Sequence, residues 1–262
     1  MTGDAGVPRR KNIDLNADIG ESFGIYKAGN DQDLLRSITS GSIACGFHAG
    51  DPTRMRETAS LAARNRVMVG AHPGYPDLLG FGRRELGASA PEVRDYVTYQ
   101  VGAMMACAAA AGTRVRYVKP HGALYNRAVR EPAIARAIAE GVRAADPNLA
   151  LLGLAGSALL SSADEVGLRP VAEAFLDRGY RKDGSLVPRD QLGALIHDPS
   201  IAATRAVRLV IERVVETADG AVIPVAAESL CVHGDGAQAV LVLRAVRQGL
   251  AAAGISVAPF SR

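Results

Sequence analysis

Seven short apolar runs, each followed by a stretch of helical character, constrain this chain more than any other feature of its sequence. The runs fall at residues 12–16, 42–47, 67–71, 115–119, 149–154, 171–175 and 229–233, and 222–226 reads as an eighth. The clearest helical stretches are 31–40, 52–65, 91–111, 131–145, 199–216 and 237–253. Strands that alternate with helices run parallel and are joined by right-handed crossovers. Seven or eight such units in 262 residues predict an α/β fold, a (β/α) barrel of seven or eight parallel strands, irregular or incompletely closed. An open doubly wound sheet is the alternative. Pro52 behind Asp51, and Pro91 with Glu92 after it, mark helix starts; Gly112 and Gly254 mark helix stops. Residues 1–10 read as a flexible tail and 11–262 as one domain, with 177–195, polar and glycine-rich, passing over one end of the barrel.

Composition narrows the class. Apolar residues make up 48%, enough for a core, but aromatics only 5%, with no Trp, so aliphatic side chains must fill it. A charged fraction of 22% excludes a disordered chain. Cys45, Cys107 and Cys231 are too few and too scattered for a disulfide scaffold and suit the cytoplasm. The net charge is +3 with no basic cluster beyond Arg9-Arg10-Lys11, which argues against nucleic acid. No run reaches the roughly 18 apolar residues of a membrane helix.

Four of the five histidines, His48, His72, His121 and His233, sit at or just past the end of an apolar run. In parallel α/β folds active sites are built at the C-terminal strand ends. Period two puts Asp14, Asn16 and Asp18 on one strand face, Ala44, Gly46 and His48 on another, then Met68, Gly70 and His72, then Tyr117, Lys119 and His121. Val171, Glu173 and Phe175 share a face, as do Ser229, Cys231, His233 and Asp235. Singly, each residue has a plainer reading: a loop hydrogen bonder, a cap, a small buried thiol. Together, buried charges that cost several kcal/mol unless paired predict a polar pocket on the barrel axis. Ala44, Gly46 and Gly70 would leave room in it for a ligand. Arg83 and Arg84, after Gly80-Phe81-Gly82, offer guanidinium groups for phosphate or carboxylate. There is no Walker loop, no G-x-G-x-x-G after a strand, no G-x-S-x-G elbow, no H-x-x-x-H and no paired C-x-x-C.

The motifs DLNADIGE (14–21), IACGFHAGD (43–51), GAHPGYPD (70–77) with GFGRR (80–84), VKPHGALYN (118–126), DRGY (177–180) with GSLVPR (184–189), and VHGD (232–235) resemble those of the LamB/YcsF family. Its characterised members are A subunits of bacterial ATP-dependent 5-oxoprolinases. The resemblance runs from about residue 12 to 258; Ala17 and Leu176 depart from residues common in members, and neither replaces a polar group. It implies a barrel subunit that helps open 5-oxoproline to glutamate with ATP as co-substrate, beside partner subunits B and C. Ring opening needs a base, an acid and cations. The candidates are His72 or His121 as base, Asp14 and Glu173 orienting histidines or a metal, and His48 and His233 polarising the carbonyl or delivering a proton. Asn16 belongs to the same polar face. Lys119, Arg84, Asp177, Arg178 and Arg189 would meet phosphate or carboxylate. A divalent metal on Asp14 and two histidines suits these residue types, which do not decide it. Rival readings are a metal-dependent deacetylase or amidohydrolase and a non-catalytic carrier of a small acid.

Overall fold

A computed structural model describes residues 12–234 and 238–260. The tail at 1–10, Asp235 and the first residue of the last helical stretch lie outside the described residues. Strands β1 (Asn12–Ile19), β2 (Ser40–Ala44), β3 (Met68–His72), β4 (Val115–Val118), β5 (Ala150–Leu154) and β6 (Arg169–Phe175) form in order around a barrel. A hairpin of β7 (Val214–Glu216) and β8 (Val222–Pro224) stands outside it, and β9 (Ser229–Cys231) closes it by pairing with both β6 and β1. Every barrel pairing is parallel, so the closed barrel has seven strands. A two-residue strand, β10 (Ser256–Val257), pairs with the start of β1.

Three of the departures from the sequence reading have a local reason. The run at 222–226 is not a barrel strand: Arg213, at φ 57°, breaks the preceding helix, and the chain doubles back so that β7 pairs antiparallel with β8. Helix α1 (Asp31–Leu34) is cut short because Thr39 is drawn to the barrel. The Thr39 N–H donates to the Leu15 carbonyl at 2.8 Å, and Thr39 Oγ1 accepts from the Leu15 N–H at 2.9 Å. Strand β2 ends at Ala44, so His48 sits in the connection beyond it.

Helices α2 (Pro52–Arg64), α3 (Ala90–Ala110), α4 (Gly122–Arg130), α5 (Pro132–Ala145), α6 (Ala158–Glu165), α7 (Pro199–Ile211) and α8 (Ala239–Ala252) wrap the barrel. Asp51 caps α2, accepting from the Thr53 and Arg54 amides at 2.9 and 3.0 Å. On α3, Val93, Val97, Val101, Met104 and Ala108 recur at helical spacing and are fully buried. Each of the larger ones is worth roughly 1.5–3 kcal/mol of burial. The main core lies between barrel and helices. Inside the barrel, Tyr117, Ala150, Leu152 and Val171 form a separate apolar plug against Met68 and Phe260. No helix among the described residues is long and apolar enough to cross a membrane.

Candidate active site

Strand alternation sends Asp14, Asn16 and Asp18 into the barrel, and each meets a different environment. Asp14 lies deepest. Its carboxylate accepts from Thr39 Oγ1 at 2.7 Å, Ser40 Oγ at 2.6 Å and Ser229 Oγ. No cation is among these donors, so burial dominates and raises Asp14 to about 6. Gly70 leaves no room for a ligand, contrary to the sequence expectation: a Cβ there would lie 2.3 Å from the Tyr117 ring. That ring fills the space and shares a 3.1 Å hydrogen bond with Ser42.

The next layer is built on Lys119. Its Nζ donates to Asp18 Oδ1 at 2.9 Å, Asn16 Oδ1 at 3.2 Å and Cys231 Sγ at 3.0 Å, and pairs with Glu173 Oε2 at 3.3 Å. Asn16 Nδ2 donates to Ser229 Oγ at 2.7 Å and to Glu173 Oε2 at 3.3 Å. Burial opposes the lysine's charge, yet its anionic neighbours, Asp18 foremost, hold Lys119 well above the usual range. Burial opposes Asp18 too, and His72 and Lys119 overcome it to hold that carboxyl well below its ordinary value. Burial pushes the Cys231 thiol up, so it stays protonated.

Above this layer lie the imidazoles. His72 Nδ1 is 2.7 Å from the Lys119 carbonyl oxygen, and its Nε2 is 3.5 Å from Asp18 Oδ2. His121 Nδ1 is 3.0 Å from His72 Nε2, and His121 Nε2 is 2.8 Å from the Phe81 carbonyl oxygen. His48 stacks on His121 with ring centroids 3.7 Å apart. Glu21, just past β1, places Oε1 3.6 Å from His48 Nε2. Burial together with neighbouring imidazoles pushes His48 and His121 well below the usual range. Gly82, at φ +64°, lets the loop cross this cluster: a Cβ would come within 2.6 Å of His48 and 2.8 Å of His121. Glu21, His48, His72 and His121 each bring one ligand atom within 4.8 Å of the others, a set able to hold a metal ion.

A cavity of about 700 Å³ opens over these layers. Asp18, His72, Lys119, His121, Arg83, Arg178, Arg189 and His233 line it, and residues from the 181–190 segment form one wall, as expected of the 177–195 excursion. His233 has a carboxylate partner of its own. Asp177 accepts from the His233 N–H at 2.9 Å and lies 3.0 Å from its Nδ1; despite burial, His233 holds the Asp177 carboxyl below its usual value. Arg178 donates to the carbonyl oxygens of Val187 at 2.6 Å and Ala194 at 3.2 Å, and burial beside Arg189 lowers it to about 10.

Of the residues singled out in the sequence, His72, Lys119, His121, His233, Arg178 and Arg189 thus share one cavity. Asn16 and Glu173 support Lys119 from below, and Asp177 positions His233 rather than lining the cavity. Asp14 takes its hydrogen bonds from hydroxyls, not from an imidazole. Arg84 is turned away: its side chain is 63% exposed and its guanidinium pairs with Asp77, with Nε 2.9 Å from Oδ1, while Arg83 reaches the cavity. His48 has no exposed surface and lies beneath the lining. Three contributors carry no role in the sequence reading. Asp18 is reachable by counting two residues beyond Asn16; Cys231 reads as a small buried thiol; Glu21 lies past the strand end, where period two stops applying.

A closed parallel barrel whose C-terminal ends gather imidazoles, an ion-paired lysine and guanidinium groups around one cavity is an enzyme architecture. The chain belongs to the LamB/YcsF family, whose model matches residues 13–262. It is 49% identical over 249 residues to the 5-oxoprolinase A subunit of Bacillus subtilis strain 168, covering 95% of this chain and 97% of that one. It is 48% identical over 248 residues to the corresponding A subunit of Brevibacillus brevis, covering 95% and 98%. The crystal structure of the lactam utilization protein from Thermus thermophilus superposes with a TM-score of 0.90 at 47% identity, covering 95% of this chain and all of that one.

Proposed function

We propose that this chain is the A subunit of a cytoplasmic ATP-dependent 5-oxoprolinase, acting with subunits B and C. Near-full-length similarity to relatives of that name supports the reading, and three free cysteines suit the compartment. The observation that carries the chemistry is the His233–Asp177 pair at a cavity also lined by Lys119, Arg83, Arg178 and Arg189.

A five-membered lactam is a stable amide with a poor leaving group. Transfer of the ATP γ-phosphoryl group to the amide oxygen makes the ring carbon electrophilic. Water then adds, the C–N bond breaks as the nitrogen takes a proton, and a second water releases phosphate from the open acyl phosphate. His233 is the acid–base group. With Nδ1–H directed at Asp177, its Nε2 keeps a lone pair for the attacking water, and the proton gained there is returned to the ring nitrogen. This geometry favours His233 over His72 and His121, whose remaining ring nitrogens face each other at 3.0 Å instead of opening to the cavity. Arg178, Arg189 and Arg83 meet the substrate carboxylate and phosphoryl oxygens, the role that the sequence reading shares with Arg84. Lys119 supplies fixed positive charge at the cavity floor.

The test is ATP-dependent glutamate release from 5-oxoproline by this chain mixed with subunits B and C, each omitted in turn. Turnover is expected only in the complete mixture; undiminished turnover without this chain sinks the proposal. A carrier without catalytic groups would keep its turnover in His233→Ala, whereas loss is expected.

A further inference from the structure

The imidazole cluster cannot be satisfied by hydrogen bonds alone. His72 Nδ1 and His121 Nε2 each face a backbone carbonyl oxygen, at 2.7 and 2.8 Å. A carbonyl only accepts, so both nitrogens carry hydrogens, and in the neutral rings the lone pairs sit on His72 Nε2 and His121 Nδ1. Those two atoms are 3.0 Å apart. Two lone pairs facing each other at that separation repel, so a cation belongs beside them. A shared proton would join these two rings but would leave His48 unanswered: it is fully buried, and neither of its ring nitrogens has a hydrogen-bond partner.

We infer that Glu21, His48, His72 and His121 ligate one divalent transition-metal ion of the zinc class. One ion answers all four side chains once His48 turns out of its stack on His121, because parallel rings 3.7 Å apart cannot both direct an in-plane lone pair at the same ion. A tetrahedral ion with metal–nitrogen bonds of about 2.05 Å spaces its ligand atoms about 3.4 Å apart. The separations here of 3.0 Å (His72 to His121), 3.6 Å (His48 to Glu21) and 3.8 Å (His121 to Glu21) bracket that value. Three imidazoles and one carboxylate select zinc, cobalt or a similar ion over magnesium or calcium. The backbone carbonyls behind His72 and His121 are the usual outer partners of ligating imidazoles, fixing tautomer and ring orientation. The ligands lie at or just past the ends of β1, β2, β3 and β4 in turn, so the ion ties four consecutive strand ends together. His72 and His121 also line the cavity, which puts the ion at its wall. This site is independent of the lactam reading, because it rests on tautomers and buried donors rather than on any substrate.

The experiment uses the full chain, dialysed against a chelator and then titrated with zinc or cobalt alone. Metal content is read by plasma mass spectrometry after gel filtration, and cobalt ligation by its visible d–d spectrum. One equivalent per chain is expected, with a spectrum typical of nitrogen ligands and a higher melting temperature than the metal-free chain. His48→Gln and Glu21→Gln should each weaken binding at least about 10-fold, while His233→Gln should still take up one equivalent. Substoichiometric uptake by folded wild-type chain, or undiminished binding in both ligand variants, overturns the assignment. Should the variants fail to fold, the wild-type cobalt spectrum decides: a cobalt adduct without nitrogen ligation overturns it equally.

Discussion

Asp14 and Asp18 stand on the same face of the same strand, both buried, and their surroundings drive them in opposite directions. Asp14 meets three hydroxyls and no cation, and its pKa rises to about 6. Asp18 meets Lys119 and His72 and is held well below its ordinary value. Neutral donors satisfy a buried carboxylate without restoring what it loses on leaving water; a buried cation does both, at the cost of its own desolvation. The barrel thus grades from an apolar plug, through a layer of hydroxyls, to a layer of paired charge beneath the cavity. Fixed charge is concentrated directly beneath the cavity.

The sharpest way to break this contrast is Asp18→Asn. It leaves Lys119 buried with Glu173 as its remaining carboxylate. We expect a loss of about 3–5 kcal/mol in urea unfolding and at least about 10²-fold in kcat. The double variant with Lys119→Met should lose less stability than the two single variants combined. Additive losses would mean that the pair is not coupled. Next in size is His233→Ala, expected to lower kcat by roughly 10²–10⁴-fold with little change in melting temperature. Asp177→Asn should shift the pH profile of kcat/KM as well as lowering it, because it acts through His233. An unmoved profile would make Asp177 merely structural.

Asp14 supplies the pH test. Its folded-state pKa of about 6 exceeds the ordinary 3.8, so the folded chain binds this proton more tightly than the unfolded chain. The stability it contributes is fully present below about pH 3.8 and is lost as pH rises through 6. The rise corresponds to about 3 kcal/mol. The stability difference between wild type and Asp14→Asn, measured by urea unfolding, should therefore move against wild type from pH 4 to about 6 and stay level above it. A difference that does not vary with pH would show that the three hydroxyls offset burial completely.

The sequence made this layering partly legible. Period-two counting put Asp14, Asn16, Lys119, Glu173 and Cys231 inside the barrel, because parallel strands have no other way to distribute their side chains. It also set His197 apart from the other four histidines, and that residue is exposed. The counting failed beyond the strand ends. Glu21, Asp177 and the choice between Arg83 and Arg84 depend on loop conformation, which tertiary contacts decide. Gly70 misled for another reason: a missing side chain was read as space for a ligand, whereas space in a packed barrel goes to the nearest large neighbour, here Tyr117.

The smallest expected effect comes from a third carboxylate. Asp77 also has a cationic partner, and the contact with Arg84 is geometrically good, with Nε 2.9 and 3.1 Å from the two carboxylate oxygens. On pairing alone it should matter as much as Asp18. The arginine, however, is 63% exposed, so water already solvates its charge and salt screens the attraction. The Gly80 N–H also donates to Asp77 at 3.0 Å, so the carboxylate keeps a partner when the guanidinium is removed. Arg84→Ala should therefore shift the melting temperature by less than about 3 °C and leave kcat and KM near wild type. Arg83→Ala, one residue earlier and lining the cavity, should raise KM. If instead Arg84→Ala impaired turnover as strongly as Asp18→Asn, pairing rather than burial would be what separates the working carboxylates from the rest.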